Sequence, residues 1–420
     1  MQALLLAAGR SRRFQPLGDK NFFQIGDEYL IEKSVANLQK AGATKIMIVA
    51  NAANEKRIAQ LFPKAQVLVQ QKLEDGMAGA VLTAAKFLTE PTLIASTNDL
   101  VEPSEIRKVS QARNCDGALL AQKVAEYFPG GYLKITNGRI TDIVEKPALN
   151  KAPSDLVNLV FHFFHEPRKL VAELTKISNK KDDGYELALA KLFKTGKFIA
   201  VENKKTWRAV KFPWHALDLI VDFTKDLKSK ISPKSSIAKT AIIQNSIISP
   251  GAKIFDFAIV RNSFIGANTV VGSHSLVRDS QILANAVVGS SSEVARSSLG
   301  AHSWTHRNYL GDSIIAENVS LGSGAVCANL RLDEDEIFAE IEKQKIGAGR
   351  NKFGAVIGES SRIGVNTSVM PGVFIGKNCF VGSGIVVAQN LKDGQFLDAV
   401  WKTKTRQNRK SVAPRAKFQK

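Results

Sequence analysis

The stretch IGESSRIGVNTSVMPGVFIGKNCFVGSGIVV, residues 357–387, has an aliphatic residue at every sixth position. These positions are Ile357, Ile363, Val369, Ile375, Val381 and Val387, and four of the six are followed directly by glycine. A six-residue repeat with one inward aliphatic side chain per side is the pattern of a triangular parallel β-helix, because each coil has three short flat sides around a crowded interior. The repeat therefore predicts a parallel β-helix in the second half of the chain.

An earlier part of the chain carries the same repeat less regularly, with steps of five residues joining groups of six-residue steps. Its aliphatic positions are Ile242, Ile248, Ile254 and Val260, then Ile265, Val271 and Val277, then Ile282, Val288 and Val294. The polar segment 333–351 breaks the period, so we expect a loop that projects from the β-helix. Because such solenoids leave flat faces and open ends, we also expect self-association, as a homotrimer.

The first half of the chain has a different pattern, in which short apolar runs alternate with segments of helical period. These segments are Ala3–Ala7, Leu30–Lys40, Lys45–Val49, Asn54–Leu61, Val67–Val69, Gly79–Leu88 and Leu93–Ala95. Strand and helix in alternation predict a Rossmann-like α/β domain with a mostly parallel sheet covered on both faces. Since such sheets bind ligands beyond the carboxyl ends of their strands, we expect chemistry in the loops 9–21 and 97–103.

The length of 420 residues, with 44% hydrophobic content, allows two or three domains. The patterns divide the chain into an α/β domain at 1–217, a linker helix at 218–232, the β-helix at 233–395 and a basic tail at 396–420. The three cysteines form no CxxC pair and favour a reducing, cytoplasmic compartment.

The apolar start of the chain has its charges after the apolar run, so we interpret it as a first strand and not as a signal peptide.

The net charge of +19 is partly carried by the end of the chain, where residues 401–420 hold eight Lys or Arg and no Asp or Glu. A basic body suits anionic partners such as nucleotides, sugar phosphates and coenzyme A. The tail is more typical of a solvated end than of a nucleic-acid clamp, so we expect no nucleic-acid partner. No stretch approaches the ~20 apolar residues of a membrane span, so we expect no membrane partner either.

The loop after the first predicted strand combines glycine with several cations, in the segment Leu6-Ala7-Ala8-Gly9-Arg10-Ser11-Arg12-Arg13 followed by Pro16-Leu17 and Lys20. Backbone N–H groups and cationic side chains at such a turn can hold a triphosphate.

The segment 6–20 resembles the opening motif of the sugar nucleotidyltransferases. Further segments resemble that family's motifs in the same order: Gln70-Gln71, Gly76-Met77-Ala78-Gly79-Ala80, Thr97-Asn98-Asp99, Gly130-Gly131-Tyr132, Glu145-Lys146-Pro147 and Asn158.

This resemblance implies attack by a sugar-1-phosphate on the α-phosphorus of a nucleoside triphosphate, with release of pyrophosphate. It implies that Arg13 and Lys20 hold phosphates and that Asp99 ligates Mg²⁺. The implied nucleotide-binding residues are Ala7, Ala8, Gly9, Gln71 and Gly76. The implied sugar-binding residues are Gly131, Glu145 and Asn158.

The sequence also departs from the family pattern at three places. Ser11-Arg12 stands where the family has Gly-Thr, and Met77 stands where it has threonine. Ala209 aligns with the position of the family's second metal ligand, Asp or Asn, and a methyl group cannot ligate a metal. Water could take the place of this ligand, the domain could be slow, or it could have lost turnover.

The β-helix contains one segment that interrupts the repeat, Thr305-His306-Arg307-Asn308-Tyr309-Leu310-Gly311-Asp312. With Gly322-Ser323-Gly324, Ala328-Asn329-Leu330-Arg331 and Lys352-Phe353-Gly354, it resembles the acetyltransferase half of bifunctional glucosamine-1-phosphate acetyltransferase/N-acetylglucosamine-1-phosphate uridylyltransferases of archaeal type, which is a left-handed parallel β-helix of hexapeptide repeats. The resemblance implies acetyl-CoA as co-substrate and His306 as the catalytic base. It also implies that Tyr309 and Asn329 bind the sugar, and Lys352 could meet a phosphate.

Three interpretations of the whole chain remain open at this point. The first is a bifunctional enzyme that makes a UDP-N-acetylhexosamine from UTP, acetyl-CoA and an amino-sugar phosphate. The second keeps the nucleotidyl transfer for another sugar, such as mannose- or glucose-1-phosphate, and reduces the β-helix to an oligomerisation unit. The third is a sensor of nucleotide sugars without turnover, which Ala209 and Arg12 favour.

Overall fold

A computed structural model describes residues 1–148, 151–177, 183–400, 402–409 and 411 of the chain. The predicted basic tail lies partly outside these residues. Within the described ranges, no helix has the length and apolar character needed to cross a membrane.

The first half of the chain alternates strands and helices as the sequence predicts. Its strands are β1 Gln2–Leu6, β2 Gln24–Ile25, β3 Glu28–Tyr29, β4 Lys45–Ala50, β5 Gln66–Val69, β6 Thr92–Ser96, β7 Asp99–Val101, β8 Gly117–Lys123, β9 Gly131–Thr136, β10 Arg139–Glu145, β11 Leu156–Phe164, β12 Phe198–Glu202 and β13 Trp207–Ala209. Its α-helices are α1 Leu30–Lys40, α2 Glu55–Leu61, α3 Gly76–Thr83, α4 Pro103–Ser110, α5 Pro167–Thr175, α6 Gly184–Thr195 and α7 Pro213–Lys225. Short 3-10 turns lie at Arg12–Phe14, Lys20–Phe22, Leu73–Asp75 and Ala85–Phe87.

The main sheet of this half runs in the order β10-β9-β11-β6-β1-β4-β5, and β8 joins β11 to β12. The strands β6, β1, β4 and β5 are parallel, whereas β11 pairs with β6 in the antiparallel sense. Apolar side chains of α1 and α4 pack on one face of this sheet, and those of α3, α5 and α6 pack on the other. The predicted Rossmann-like fold is therefore confirmed, with a parallel part formed by β6, β1, β4 and β5 and a mixed part, in which β8, β9 and β10 pair antiparallel and β12 pairs parallel with β8.

The second half of the chain is a parallel β-helix with three sides of short strands. One side holds Lys230–Ile231, Ile247–Ile248, Phe264–Ile265, Gln281–Ile282, Ser298–Leu299, Ile314–Ile315, Val356–Ile357 and Phe374–Ile375. The second holds Ser236–Ile237, Lys253–Ile254, Val270–Val271, Val287–Val288, Ser320–Leu321, Arg362–Ile363, Phe380–Val381 and Phe396–Leu397, with Trp304 bridging its two parts. The third holds Ile242–Gln244, Ile259–Arg261, Leu276–Arg278, Glu293–Ala295, Tyr309–Gly311, Val326–Cys327, Ser368–Val369 and Val386–Val387.

The interior of the β-helix is the column of aliphatic residues that the six-residue repeat predicts, with one exception at its beginning. Ile248, Ile254 and Val260 are buried in one cluster with the later repeat positions. Ile242, however, is 44% exposed, and its neighbour Ile243 packs against the cluster. The prediction for Ile242 is wrong because a step of five residues, not six, leads from Ile243 to Ile248.

The polar segment 333–351 leaves the coils of the β-helix, as the broken period predicts, because the strands before it pair directly with the strands after it. It is not a free loop, however. It contains a hairpin of strands Phe338–Ile341 and Gln344–Gly347. Ile337, Ala339 and Ile341 are buried in one apolar cluster with Trp214 of α7. Apolar residues alternate along the first strand, so one face of the hairpin packs onto the α/β domain and only the other face is solvated.

Direct contacts join the two halves. The side chain of Gln281 accepts a hydrogen bond from the backbone N–H of Gly26 at 3.1 Å and donates one to the carbonyl oxygen of Gln24 at 2.9 Å. Asp218 of α7 pairs with Arg350, beyond the hairpin, at 2.7 Å. Between the halves lies a cavity of about 640 Å³ that reaches Gly9 of the first loop. The loop after β1 therefore faces both halves of the molecule.

Candidate active sites

The loop after β1 is fixed by buried asparagine side chains. The carbonyl oxygen of Ala7 accepts hydrogen bonds from the amides of Asn21 and Asn54, both at 3.0 Å, and that of Ala8 accepts one from Asn51 at 3.0 Å. Gly9, the third residue of the predicted nucleotide-binding group, is exposed. These bonds occupy the carbonyl groups and hold the loop in one shape at the carboxyl end of β1.

Two predicted phosphate-holding cations lie in the 3-10 turns of this loop. Arg13 is exposed, whereas the ammonium group of Lys20 lies 3.4 Å from the carbonyl oxygen of Val210. Burial lowers the pKa of Lys20 to about 8, and the carboxylates of Asp99 and Asp19 oppose this shift. The ammonium group of Lys20 is thus held in a partly desolvated position, where an anionic ligand would restore the lost solvation.

Asp99 lies at the start of β7, directly after the buried strand β6, with only 7% of its surface exposed. The indole N–H of Trp207 donates a hydrogen bond to its carboxylate at 2.8 Å. Burial raises the pKa of Asp99, and the charges of Lys211 and Lys20 oppose this shift. The residue directly opposite Asp99 across the β13–β7 ladder is Ala209.

These residues do not fit the two-ligand magnesium site that the family resemblance implies. The methyl group of Ala209 stands opposite Asp99, and one carboxylate oxygen of Asp99 is taken by Trp207. The described residues contain no group of three His, Cys, Asp or Glu side chains that could hold a metal ion. The local charge near Asp99 comes from ammonium groups instead, of which Lys211 was not singled out by the sequence, although it lies two residues beyond Ala209.

The predicted base-reading segment is split between a buried and an exposed side chain. Gln70 is buried and donates hydrogen bonds to the carbonyl oxygens of Lys72 at 2.9 Å and Gly76 at 3.0 Å. Gln71 is exposed at the same edge of the sheet. Gly76 adopts a φ of +54°, which favours glycine. Gln70 therefore stabilises the turn, and the exposed side chain of Gln71 is the one accessible to a ligand.

The sugar-side residues of the motif come together on β9 and β10. Gly131 is the register partner of Glu145, and a Cβ atom on Gly131 would stand 3.0 Å from the carboxylate of Glu145. The backbone N–H of Lys146 donates to the carbonyl oxygen of Gly130 at 3.0 Å. A side chain at position 131 would crowd the Glu145 carboxylate, so glycine lets this carboxylate lie close against β9.

Asn158, on β11, is held by a buried hydrogen-bond chain that the sequence did not reveal. Its amide oxygen lies 2.9 Å from Nε2 of His162, and Nδ1 of His162 lies 2.8 Å from the hydroxyl of Tyr185. Burial lowers the pKa of His162 to about 3, so its ring is neutral. A neutral ring that donates from Nε2 must accept at Nδ1, which assigns the Tyr185 hydroxyl as donor.

In the β-helix, the backbone of His306 is fixed while its ring is not. Asn308 is buried, accepts a hydrogen bond from the backbone N–H of His306 at 2.6 Å, and donates to the carbonyl oxygens of Gly322 and Ala325. The hydroxyl of Ser292 donates to the carbonyl oxygen of His306 at 2.6 Å. Within the described residues the exposed imidazole makes no hydrogen bond, so both ring nitrogens are available to a ligand.

Tyr309 and Asn329, the predicted sugar-binding pair, are in direct contact. The hydroxyl of Tyr309 donates to the amide oxygen of Asn329 at 3.3 Å. The amide nitrogen of Asn329 donates to Asp312, whose two carboxylate oxygens each accept a hydrogen bond from Arg296 at 2.7 Å. Gly311 lies under this contact, because a Cβ atom there would stand 2.7 Å from the Tyr309 hydroxyl.

Lys352 lies beside the Asn329 segment although 23 positions separate them in sequence. The backbone N–H of Phe353 donates to the carbonyl oxygen of Asn329 at 3.0 Å, and Leu330 forms a β-bridge with Lys352. The side chain of Lys352 is exposed. The hairpin of 338–347 returns the chain to this point, so the insertion brings a cation to the edge of the candidate sugar site.

The geometry thus defines two separate candidate sites. Electrostatic contacts link Arg13, Lys20 and Asp99 of the α/β domain, and backbone pairing places Gly131 next to Glu145. In the second site Tyr309 contacts Asn329, and His306 lies in the turn that leads into the strand of Tyr309. Together they define the class as an α/β nucleotidyltransferase domain joined to a β-helix of acyltransferase type.

Comparisons with the sequences of known proteins agree with this class. The sequence pattern of the nucleotidyl transferase family matches residues 2–210. The bifunctional sugar-1-phosphate nucleotidylyltransferase/acetyltransferase of Sulfurisphaera tokodaii is 30% identical over 415 residues, covering 94% of this chain and 99% of that protein. The bifunctional protein GlmU of Methanococcus maripaludis strain C7 is 33% identical over 409 residues, covering 94% and 97%. The solved structure of apo UDP-glucose pyrophosphorylase covers 53% of this chain and 98% of its own, with a TM-score of 0.47 and 20% identity.

The chain therefore belongs to the family of bifunctional sugar-1-phosphate nucleotidylyltransferase/acetyltransferases, and it is a transferase. The family resemblance predicted from the motifs is confirmed over nearly the whole chain. The roles of the individual site residues stay predictions.

Proposed function

We propose that the chain acetylates glucosamine-1-phosphate with acetyl-CoA in the β-helix and transfers a uridylyl group from UTP to the product in the α/β domain. The observation that carries this proposal is the exposed imidazole of His306, on a backbone that Asn308 holds in place three residues before Tyr309, which contacts Asn329. An oligomerisation unit would not need an exposed histidine fixed in this way.

In the proposed acetyl transfer, the amino group of the sugar phosphate must be neutral before it attacks the thioester carbonyl carbon. The imidazole of His306 takes the proton from the attacking nitrogen as the C–N bond forms. The C–S bond then breaks, and the leaving thiolate of coenzyme A receives the proton. Tyr309 and Asn329 would orient the sugar, and Lys352 would meet its phosphate.

In the proposed nucleotidyl transfer, a phosphate oxygen of the sugar-1-phosphate attacks the α-phosphorus of the triphosphate in line with the departing pyrophosphate. Arg13 and Lys20 would neutralise the phosphates, and the loop of Ala7, Ala8 and Gly9 would bring its backbone against the nucleotide. Gly131, Glu145 and Asn158 would bind the sugar, and Gln71 and Gly76 would contact the base.

The remaining partners of this proposal are Mg²⁺, further copies of the chain and a reducing compartment. Mg²⁺ would enter as a complex with the nucleoside triphosphate, held by the phosphates. A homotrimer is supported by exposed aromatic residues on one side of the β-helix, among them Trp304, Phe380 and Phe396. A cytoplasmic location is supported by three cysteines that form no disulfide.

The test compares matched histidine variants of the β-helix. His306→Asn is expected to abolish acetyl transfer to glucosamine-1-phosphate, whereas His302→Asn, four residues away and also exposed, is expected to leave it unchanged. Light scattering of both variants reports whether assembly is intact. An unchanged acetyl-transfer rate in His306→Asn would refute the acetyltransferase proposal.

Ala209 favours a second candidate, in which the α/β domain senses nucleotide sugars without turnover. A sensor would bind the nucleotide and release no pyrophosphate from any nucleoside triphosphate. Continuous measurement of pyrophosphate release, with N-acetylglucosamine-1-phosphate supplied, separates the two candidates.

A further inference from the structure

Lys211 connects two parts of the α/β candidate site, the strand β13 that pairs with Asp99 and the loop before β9. It follows β13 directly after Val210, and its backbone N–H donates to Nδ1 of His215 at 3.1 Å. Its side chain crosses to the loop before β9, where the ammonium group donates to the carbonyl oxygen of Pro129 at 3.0 Å. The same group lies 4.2 Å from the centroid of the Phe128 ring, a favourable cation–π distance.

The charges around Lys211 show which groups its ammonium meets. Burial lowers the pKa of Lys211, the carboxylates of Asp99 and Glu145 oppose this shift, and the charges of Lys146 and Arg13 add to it. Burial likewise raises the pKa of Asp99, and the charges of Lys211 and Lys20 oppose that shift. The ammonium group of Lys211 therefore interacts with the Asp99 carboxylate and with Glu145 on the sugar-side strand β10.

The two residues that flank Val210 act together on this part of the site. Ala209 removes a ligand from the position opposite Asp99, and Lys211 adds a positive charge near the same carboxylate. A divalent cation bound to Asp99 would have one protein ligand and two ammonium groups as neighbours. Like charges in a desolvated pocket repel strongly, so a protein-held metal ion is disfavoured.

We propose that the ammonium group of Lys211 takes the place of a protein-held divalent cation beside Asp99. It supplies a fixed positive charge for the phosphates of the bound nucleotide, in line with Arg13 and Lys20. The exclusion of the metal follows from Asp99, Ala209 and Lys211 alone, whereas the role toward phosphates rests on the proposed nucleotidyl transfer. Only one donor position of Lys211 is used by Pro129, so the others can reach a phosphate oxygen.

The direct test is a titration of the full-length protein with Mn²⁺, followed by electron paramagnetic resonance, in the absence of nucleotide. The wild type is expected to bind no more Mn²⁺ than Asp99→Asn, because no site depends on this carboxylate. The double variant Ala209→Asp with Lys211→Gly is expected to gain one Mn²⁺ site, which adding Asp99→Asn removes. One Mn²⁺ bound by the wild type and lost in Asp99→Asn would overturn the inference, and so would the absence of a new site in the folded double variant.

A second measurement addresses the phosphates and needs only a conservative variant. Calorimetry in EDTA is expected to show that the wild type binds UTP. Lys211→Met is expected to bind UTP at least about tenfold more weakly. The control Lys194→Met, on the exposed side of α6, is expected to keep the wild-type affinity. Wild-type binding that arises only when Mg²⁺ is added would overturn the inference. If UTP binds under neither condition, the proposed nucleotide is contradicted, and the Mn²⁺ titration still decides the inference.

Discussion

The imidazole of His162 holds the side chain of Asn158, with Nε2 of the histidine 2.9 Å from the amide oxygen of the asparagine. Because this oxygen is occupied, the amide nitrogen of Asn158 is the group left to face a ligand. The hydroxyl of Tyr185 fixes the ring from its other side at 2.8 Å. His162 and Tyr185 therefore act on the proposed sugar site through Asn158 and do not touch the sugar themselves.

Replacing His162 by phenylalanine should weaken sugar binding without weakening nucleotide binding. Loss of one oriented hydrogen bond of about 1 kcal/mol or more predicts a KM for the sugar-1-phosphate roughly 5- to 10-fold higher, with the KM for the nucleotide unchanged. Steady-state kinetics with each substrate varied in turn provides the measurement. His162→Gln, which keeps a donor, should recover part of the loss. An equal rise in both KM values would show a general structural role instead.

The same histidine should make the α/β domain less stable in acid. Its pKa is lowered by burial to about 3, while in the unfolded chain it is near 6.5. As the pH falls below about 6.5, the unfolded state takes up a proton that the folded state refuses, so the free energy of unfolding falls by up to about 1.4 kcal/mol per pH unit until about pH 3. Urea unfolding at pH 7 and pH 5 should show a smaller difference for His162→Gln. The exposed control His302→Asn should keep the wild-type difference.

Nucleotidyl transfer should decline as the pH rises through about 8, because the pKa of Lys20 is lowered to that value by burial. The ammonium group is fully charged below this pH and neutral above it, and only the charged form attracts phosphates. The pH profile of kcat/KM for the nucleotide, which reports the free enzyme, tests this expectation. Arginine stays charged, so Lys20→Arg should move the decline to higher pH if it remains active. A wild-type profile that stays flat to pH 10 would contradict the role given to Lys20.

Acetyl transfer should depend on Asp312 through Asn329. Asp312→Asn removes the charged acceptor of the Asn329 amide and leaves the guanidinium of Arg296 without its bidentate partner. Hydrogen bonds to charged groups are worth about 1.5–3 kcal/mol, so the KM for glucosamine-1-phosphate should rise by about tenfold or more. Asp279→Asn is the matched control, because Asp279 also has a positive φ and does not contact Asn329. Equal KM values for the two variants would remove Asp312 from the site.

The interior column should carry the stability of the β-helix. Leu299 is fully buried among the aliphatic residues of neighbouring coils. Leu299→Ala should lower the free energy of unfolding by about 2–5 kcal/mol, because the stacked coils cannot collapse into the cavity. Leu332→Ala, at a fully exposed leucine, should change it by less than about 0.5 kcal/mol. Denaturant unfolding followed by circular dichroism compares the two, and similar midpoints would contradict the assigned interior.

The fold was predictable where one periodicity dominates a segment. The helix Leu30–Lys40 has the predicted bounds, since its amphipathic pattern begins where Glu32 accepts a hydrogen bond from the backbone N–H of Tyr29. The six-residue repeat likewise predicted the stacked coils. The insertion at 333–351 was predicted, but its packed hairpin was missed, because charged residues conceal the alternating Ile337, Ala339 and Ile341, a strand pattern that could have been recognised.

The sequence motifs predicted which residues belong to the candidate sites, but not which other residues hold them in place. The chain Tyr185–His162–Asn158 depends on how a helix packs against β11, and no spacing in the sequence shows it. The contact of Asp312 with Arg296 and Asn329 had a usable signal, because these residues lie 16 and 17 positions apart, which is one coil of the β-helix. Residues one coil before and one coil after each motif residue are its neighbours on the same side of the β-helix, so this spacing predicts the contact.

Both proposed reactions can be tested together by mass spectrometry of the products, after incubation with glucosamine-1-phosphate, acetyl-CoA, Mg²⁺ and a mixture of the common nucleoside triphosphates. Acetyl transfer followed by uridylyl transfer predicts UDP-N-acetylglucosamine. Omitting acetyl-CoA, or using His306→Asn, should remove this product. The absence of any acetylated sugar phosphate and of any nucleotide sugar from the wild-type reaction would rule out both proposed activities.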